Sequence, residues 1–460
     1  MKERVKNNVF DELPGEIYPT FIRGEGMYLF DDQGNKFIDA SCGPVTNSLG
    51  HGLEDFGMFL EKQMKNLAFL HRGYGYSPIL KEACEKLCTL TNEDMNKALL
   101  MCGGSEAVEV AIKLARMYHI YNNNLTKTLI IGRWLSYHGN TMITLSAGGF
   151  VKRRAAFIPY LHNTSHVPPA YCYRCWFNKE PNSCNLECAQ ALEDEILVQG
   201  HENVSAFIAE PISGTSLCAA VPREDYFKRI REICKKYDVL LIYDEIISGC
   251  GRTGKWFGYE HFKVPPDILV LGKGLAGGYF PAGAVLSSLK IYKKLEDAHG
   301  VLPAGYTWAN NPMVATVISK TIDYYQKYNL IANVENMGKY MFGEMNKIQK
   351  EHPTMGDVRG KGLLMGIEFV RDKDTKETID SPLIAPPTIS RPNAFHLQLQ
   401  KEAKKNNLFL LAHSGCTKGM YDGDMVMLGP YFKVCKEEID EILSIFDKSL
   451  YSIEKQNGFI

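Results

Sequence analysis

The sequence predicts an α/β fold, with a large domain built on a mostly parallel sheet covered by helices and a smaller α+β domain formed from both chain ends. Short apolar strands alternate with amphipathic stretches between residues 55 and 325, which is typical of a sheet buried on both faces. Beyond residue 325 the alternation stops, and a long helical stretch precedes short strands and a last helix. The predicted boundaries are 1–55 for the N-terminal segment of the small domain, 56–325 for the large domain and 326–460 for the C-terminal part of the small domain.

The predicted elements follow a regular order along the chain. Residues 27–40 are expected to form two short strands around a turn at 32–35, because the turn contains Asp, Gly and Asn. Residues 105–121 are expected to form a helix, since their apolar residues recur at helical spacing. We expect the small domain to share a sheet with the N-terminal strands. Further strands are predicted at 98–102, 128–132, 205–210, 239–245 and 267–272, and further helices at 324–345 and 436–453.

Composition excludes several classes of protein. The 460 residues include 52 Lys and Arg against 53 Asp and Glu, so a net charge of −1 gives no field that attracts nucleic acid or an anionic membrane. No apolar run approaches the about 18 residues that span a bilayer, and residues 1–19 lack the apolar core of a signal peptide. The 13 cysteines are scattered and odd in number, which favours reduced thiols. We therefore expect a cytoplasmic protein that binds neither nucleic acid nor membrane.

Two glycine-rich stretches resemble nucleotide-binding loops. Residues 249–255 fit a phosphate-binding loop, but Trp256 stands where the Ser or Thr that ligates Mg²⁺ is required. Residues 272–277 fit a dinucleotide-binding fingerprint, but Pro281 lies where the helix of that motif should run. Neither stretch is therefore interpreted as a nucleotide site, and the glycines of the second flank a lysine.

That lysine, Lys273, follows an apolar strand and lies between Gly272 and Gly274. A lysine among small residues at the carboxyl end of a parallel strand can form a Schiff base with an aldehyde cofactor. Asp244 ends another predicted strand, and a carboxylate there can keep the ring nitrogen of pyridoxal phosphate protonated. A solvated loop lysine is the ordinary alternative, but the second strand end favours the cofactor site.

Residues 102–116 can supply a phosphate site for such a cofactor. A strand end leads through Gly103 and Gly104 into a helix, and backbone N–H groups at a helix N-terminus bind anions. The hydroxyl of Ser105 adds a donor. A capped helix after a glycine turn would have the same sequence, so these residues alone leave both interpretations open.

Motifs along nearly the whole chain make the sequence resemble the class III pyridoxal-phosphate aminotransferases of fold type I. Their number, order and spacing carry the resemblance, since no single one is decisive. In order they are FIRGEGMYLFDDQGNKFIDA (21–40), SLGHG (48–52), GGSEAVEVAIKLAR (103–116), SYHGNT (136–141), AEPISG (209–214), LLIYDEIISGCGRTG (240–254), PDILVLGKGLAGGYFPAGA (266–284), GYTWANNP (305–312) and GDVRGKGLLMGIE (356–368).

The resemblance implies a role for each matching residue. Lys273 forms the Schiff base and moves the proton between substrate and cofactor, while Asp244 pairs with the pyridine nitrogen. Ile246 and Tyr137 pack on the two faces of the ring, although ordinary core packing would be the default for both. Thr307 reaches the phosphate of the neighbouring subunit, which implies a homodimer with shared active sites or a tetramer built from it. The other implied cofactor contacts are Gly104, Ser105, His138 and Glu210.

The reaction implied by the resemblance moves an amino group from a primary amine or ω-amino acid to a 2-oxo acid, pyruvate or 2-oxoglutarate, with ping-pong kinetics. A racemase, an aminomutase or a decarboxylase would share every cofactor residue, and dependence on an amino acceptor would separate these activities. A non-catalytic binding protein is a further alternative, against which the intact Lys273 and Asp244 count.

Three departures from the family pattern concern the site. Residues 102–103, Cys-Gly, replace the usual Asn-Ser before the phosphate glycine. Met427 stands where many relatives carry a carboxylate-binding arginine, and Thr215 replaces a glutamate that would neutralise it. Because an α-amino acid is normally held by such an arginine, these losses predict a donor whose nitrogen lies far from any carboxylate.

The candidate substrate contacts are few. A second cation is needed to hold the acid group of the acceptor, and Arg153 and Arg154 are the candidates for this. Adjacent arginines such as Arg153 and Arg154 are more often a solvated surface pair. The residues expected near the substrate are Tyr18, Arg153 and Met427.

Four cysteines lie within one short segment. C-x2-C followed by C-x3-C is a spacing compatible with zinc, but the intervening loop of eight residues, 176–183, is shorter than in common zinc ribbons. We therefore predict thiols packed in a loop and no metal, with a structural zinc site as the alternative. The four are Cys172, Cys175, Cys184 and Cys188.

Overall fold

The computed structural model of the chain describes residues 8–10, 16, 18–91, 95–379 and 393–460. Its strands, in chain order, are β1 (Phe21–Glu25), β2 (Tyr28–Asp31), β3 (Lys36–Asp39), β4 (Lys97–Met101), β5 (Leu129–Arg133), β6 (Ser165–Val167), β7 (Val204–Ala209), β8 (Leu240–Asp244), β9 (Ile268–Gly272), β10 (Gly283–Ser287), β11 (Met355–Lys361), β12 (Leu364–Phe369), β13 (Leu408–Phe409), β14 (Leu411–Ser414) and β15 (Asp424–Leu428).

The helices surround these strands, and none in the described part of the chain is both long and apolar enough to cross a membrane. They are α1 (Cys42–Val45), α2 (Glu54–Asn66), α3 (Pro78–Leu90), α4 (Gly104–Tyr121), α5 (Met142–Ala147), α6 (Val151–Arg154), α7 (Glu187–Gln199), α8 (Tyr226–Lys236), α9 (Leu289–Asp297), α10 (Pro312–Lys327), α11 (Leu330–Glu351), α12 (Phe395–Lys405) and α13 (Lys436–Gln456).

A mostly parallel sheet of seven strands lies at the centre, in the order β4-β10-β9-β8-β7-β5-β6. Strand β10 runs antiparallel to its two neighbours, whereas β9, β8, β7, β5 and β6 pair in parallel. Strands β7, β8 and β9 are buried along their whole length, as their continuous apolar sequences predict for strands covered on both faces. The predicted α/β class and the predicted strands of this sheet are confirmed.

The small domain contains two further sheets. One has the order β1-β2-β3-β13, in which β13 from the C-terminal part runs parallel to β3, so the N-terminal strands do share a sheet with the C-terminal residues. The other has the order β11-β12-β15-β14 and is antiparallel throughout. The boundaries 1–55, 56–325 and 326–460 stay a prediction, and the mixed sheet supports them.

The prediction of one long helix over residues 324–345 was wrong. Helix α10 ends at Lys327, and α11 begins at Leu330 after Asn329 has adopted a left-handed conformation with φ of 49°. Asparagine tolerates this conformation better than most residues, so the break needs no glycine or proline. Apolar residues lie on both sides of the break, and the sequence pattern alone therefore does not mark it.

Candidate active site

Three functional side chains emerge at one edge of the central sheet. Asp244 is the last residue of β8, Glu210 follows β7 directly, and Lys273 follows β9 directly. Because these strands are parallel neighbours, their carboxyl ends lie side by side, which is where ligands of such sheets bind. All three side chains line one cavity of about 680 Å³.

Asp244 is paired with a histidine. Nδ1 of His138 donates to Oδ2 of Asp244 at 2.8 Å, and both side chains are buried. The other carboxylate oxygen accepts the backbone N–H of Ile246 at 3.1 Å, while Nε2 of His138 has no hydrogen-bond partner. The acid that ends the strand is therefore fixed in orientation by its own chain.

Lys273 is held in a strained and desolvated position. Its backbone has a φ of 46°, a left-handed conformation that costs free energy in a residue with a side chain. Its Nζ donates to the carbonyl oxygen of Pro44 at 2.7 Å. Burial lowers the pKa of the amine to about 8, although the negative charges of Asp244 and Glu210 act to raise it. The amine therefore gives up its proton more readily than that of an ordinary lysine.

Glu210 supplies a second buried carboxyl group. Oε1 accepts the backbone N–H of Gly214 at 2.9 Å, and Oε2 has no partner. Burial raises the pKa of this carboxyl, and the charge of Asp244 acts in the same direction while His138 opposes it. The cavity therefore offers polar groups at its inner end that a bound ligand can satisfy.

The N-terminus of α4 forms another part of the cavity wall. The helix begins at Gly104, and Oγ of Ser105 accepts the backbone N–H of Asn140 at 3.1 Å. A Cβ on Gly104 would lie 2.6 Å from Cδ1 of Ile246, and one on Gly139 would lie 2.6 Å from Oγ of Ser105. A larger residue at either position would displace these side chains, and the φ of 135° at Gly139 also favours glycine there. A helix N-terminus on a cavity wall can bind an anion.

Most of the predicted site residues meet at this cavity. In addition to the three strand-end residues, the cavity wall contains Gly104, Ser105, Tyr137, His138, Arg153, Thr215 and Ile246.

Three predicted residues lie elsewhere in the chain. Met427 is fully buried in β15, between Gly366 of β12 and Leu411 of β14, so the structure does not bring it to the cavity wall. Tyr18 is exposed and lies under the ammonium of Lys404. Thr307 is exposed and does not line the cavity of its own chain.

The sequence analysis missed one side of the cavity. Residues 39–44 and 409–413 contribute wall positions, among them Asp39, Pro44 and His413. The first segment has a positive φ at Cys42 and Gly43, as does Val45 directly after it, and a sequence pattern does not predict a positive φ for a valine. Both segments belong to the small domain, and only the folded chain shows that they face Lys273.

The four-cysteine segment surrounds a separate small cavity of about 30 Å³. All 13 cysteines have free thiols. In the part of the chain that the structure describes, no group of three or more His, Cys, Asp or Glu side chains is arranged to hold a metal ion. Arg223 donates to Sγ of Cys184 at 2.9 Å. The segment consists of packed thiols in this structure.

Comparison with known proteins identifies the family. The family described as "Aminotransferase class-III" matches residues 14–450. The chain is a class III aminotransferase. It is 32% identical to the taurine–pyruvate aminotransferase of Bilophila wadsworthia, over 95% of this chain and 93% of that protein. It is 30% identical to the putrescine–pyruvate aminotransferase of Pseudomonas aeruginosa, over 93% of this chain and 89% of that protein.

Solved structures agree with this family. The omega transaminase from Pseudomonas jessenii, solved in complex with PMP, superposes with a TM-score of 0.87 at 28% identity, over 96% of this chain and 94% of that one. A Bacillus anthracis aminotransferase superposes with a TM-score of 0.86 at 29% identity, over 95% of this chain and 93% of that one. The class III aminotransferase described here therefore has the type I fold and transfers an amino group from an amine to a 2-oxo acid.

The cofactor of this aminotransferase is pyridoxal 5'-phosphate, and the site residues fit it. A lysine with a lowered pKa, a buried acid ending the neighbouring strand and an open helix N-terminus face one cavity. The unpartnered Oε2 of Glu210 and Nε2 of His138 are buried polar atoms that need a partner. An aldehyde, a ring nitrogen and a phosphate are the groups that these features can receive.

Proposed function

We propose that the donor of this aminotransferase is a primary amine whose nitrogen lies far from any carboxylate, such as an ω-amino acid, a diamine or an aminosulfonate, and that the acceptor is pyruvate or 2-oxoglutarate. Two relatives support the proposal, because their names assign them taurine or putrescine as donor and pyruvate as acceptor. Thr215, at the position where the family resemblance implies a glutamate in some relatives, lies on the cavity wall and adds support.

The observation that carries the proposal is the meeting of Lys273 with the Asp244–His138 pair at one sheet edge. Lys273 is proposed to bind the cofactor and then to move a proton between the carbon that carries the nitrogen and the cofactor, which its lowered pKa favours. Asp244, oriented by His138, is proposed to hold the ring nitrogen protonated. The cofactor, when bound, supplies the electron sink for the negative charge formed at that carbon.

The remaining proposed contacts surround the cofactor. Ile246 and Tyr137 line the cavity where the two faces of the ring would pack. Gly104 and Ser105, at the N-terminus of α4, are proposed to bind the phosphate. Glu210 and His138 are proposed to face the ring through the polar atoms that lack partners.

A homodimer with shared active sites completes the proposal. The exposed position of Thr307, away from the cavity of its own chain, and the exposed ring of Trp308 beside it support a contact with the partner's cofactor. A fully active monomer in sedimentation equilibrium would contradict this. A cytoplasmic location is also proposed, and it rests on the unpaired state of every cysteine.

The proposal is tested by a lysine variant and a donor panel. Lys273→Ala should abolish turnover and the absorbance of lysine-bound cofactor, whereas Lys228→Ala, at an exposed lysine, should change neither. With pyruvate fixed, terminal amines such as taurine, putrescine and β-alanine should exceed α-amino acids in initial rate. Turnover by Lys273→Ala would overturn the assigned roles, and faster α-amino acids would overturn the donor class.

A further inference from the structure

Three consecutive cations on α6 have different surroundings. Nζ of Lys152 donates to the hydroxyl of Ser414 on β14. Arg154 turns inward, where its Nη1 donates to the carbonyl of Gly148 at 2.6 Å and lies 2.8 Å from Nε2 of His166. Arg153 lines the active-site cavity. The expectation of a solvated pair at 153–154 is therefore wrong for Arg154, whereas Arg153 is exposed as expected and also lines the cavity.

Arg153 has no acidic partner among the residues that the structure describes. Every other cation of α6 is anchored to the protein, but no described carboxylate lies within ion-pair distance of this guanidinium. It is also the one guanidinium in the described cavity wall. An arginine that faces a substrate cavity without an internal acid can accept the acid group of a ligand through two parallel hydrogen bonds.

The neighbours of Arg153 leave its charge available. Tyr137 and His413 line the cavity together with Arg153, and burial raises the pKa of the Tyr137 phenol, so this side chain brings no negative charge at neutral pH. Burial and then Arg153 lower the pKa of His413 to about 3, so this imidazole is neutral at physiological pH. None of the three carboxyl groups of the described cavity wall forms an ion pair with Arg153: Asp244 pairs with His138, and Asp39 and Glu210 accept backbone N–H groups of Gly43 and Gly214.

We infer that Arg153 recognises the acid group of the substrates: the carboxylate of the 2-oxo acid acceptor and, in donors that carry one, the distant carboxylate or sulfonate. This inference deepens the proposed function and rests on its substrates. The same arginine then binds an acid group in both half-reactions. A diamine has no acid group, so as a donor it would not form these hydrogen bonds with Arg153.

The test compares an acceptor with and without its acid group. Enzyme converted to its amine form is mixed with pyruvate or with acetaldehyde, which has the same methyl and carbonyl groups without the carboxylate, and cofactor absorbance follows the half-reaction. Arg153→Gln should lower kcat/KM for pyruvate by about 10- to 100-fold, because a charge-assisted bidentate contact is lost, while acetaldehyde should change by less than about threefold. Arg153→Lys should fall between wild type and glutamine, because the charge stays and the planar fork is lost.

Lys152→Gln is the matched control, since it removes a neighbouring cation that does not line the cavity. It should leave the ratio of kcat/KM for pyruvate to kcat/KM for acetaldehyde unchanged. If this ratio is unchanged in Arg153→Gln, because kcat/KM falls equally with both acceptors or with neither, the inference is wrong. If terminal amines fail as donors but the ratio still falls in Arg153→Gln, the proposed donor class is wrong and the role of Arg153 stands.

Discussion

At the scale of single residues, the buried Asp244 shows how an acid is kept in place at the end of an apolar strand. Its two oxygens accept hydrogen bonds from the ring of His138 and the backbone of Ile246, so the carboxylate has a fixed orientation. The adjacent Glu245 has a different role. Its carboxylate accepts the backbone N–H groups of Gly258 and Tyr259, and burial raises its pKa to about 7. Of these two neighbouring acids, Asp244 lies on the cavity wall, and Glu245 stabilises the fold by accepting backbone N–H groups.

Removing the partner of Asp244 should reduce activity without unfolding the protein. His138→Gln takes away the imidazole, and hydrogen bonds to charged groups contribute about 1.5–3 kcal/mol, so we expect proton-transfer steps about 10- to 100-fold slower. Stopped-flow absorbance of the amine half-reaction measures this. His166→Gln, at a half-buried histidine outside the cavity wall, is the control and should keep the rate. Equal rates in wild type and His138→Gln would show that His138 does not contribute to the proton-transfer steps.

At the scale of elements, helix α11 contains two glycines in contrasting surroundings. A Cβ on Gly338 would lie 2.4 Å from the backbone oxygen of Gly362, in the turn between β11 and β12. A Cβ on Gly343, five residues later, would meet nothing within 4 Å. The first glycine therefore sets how closely the helix packs on the sheet, and the second only weakens the helix.

Replacing each glycine by alanine should change stability in opposite directions. Gly343→Ala should stabilise by about 0.5–1 kcal/mol, because glycine costs conformational entropy inside a helix. Gly338→Ala should destabilise by about 1–3 kcal/mol, because backbone must move to relieve the overlap. Chemical unfolding of the holoenzyme and the two variants measures both values. Stabilisation by Gly338→Ala would show that the helix–turn contact is not as close as described.

At the scale of the whole molecule, a buried histidine links two long helices of the small domain. Nδ1 of His352, just after α11, lies 2.5 Å from Oε2 of Glu454 on α13, and its Nε2 lies 2.6 Å from Oδ1 of Asp447. Burial alone lowers the pKa of the imidazole, but the hydrogen bonds to Glu454 and Asp447 outweigh it and raise the pKa. The two carboxylates thus favour a charged imidazole in the folded protein.

This arrangement predicts a stability that falls with rising pH. Because the folded pKa lies above the unfolded value of about 6.5, the contribution is fully present below pH 6.5 and is lost as the pH rises through the folded pKa. The difference in unfolding free energy between wild type and His352→Gln should therefore shrink from about pH 6 to about pH 9. A difference that stays constant over this range, measured by urea unfolding, would contradict a charged His352.

The sequence determined the α/β class, the strands of the central sheet and most of the residues proposed to carry the chemistry. Strand ends and glycine loops are local features, so Lys273, Asp244 and the turn before α4 could be located from spacing and residue type alone. The family motifs then added His138, Glu210 and Tyr137, which line the cavity as expected.

Only the tertiary structure decided which distant segments complete the site. Met427 and Arg153 were both expected near the substrate from the sequence, but the sheet of the small domain buries Met427 while α6 brings Arg153 to the cavity wall. The approach of residues 39–44 and His413 to Lys273 likewise depends on how the small domain packs against the sheet edge. Packing between domains is set by many weak contacts between residues far apart in the chain, and no short motif records it.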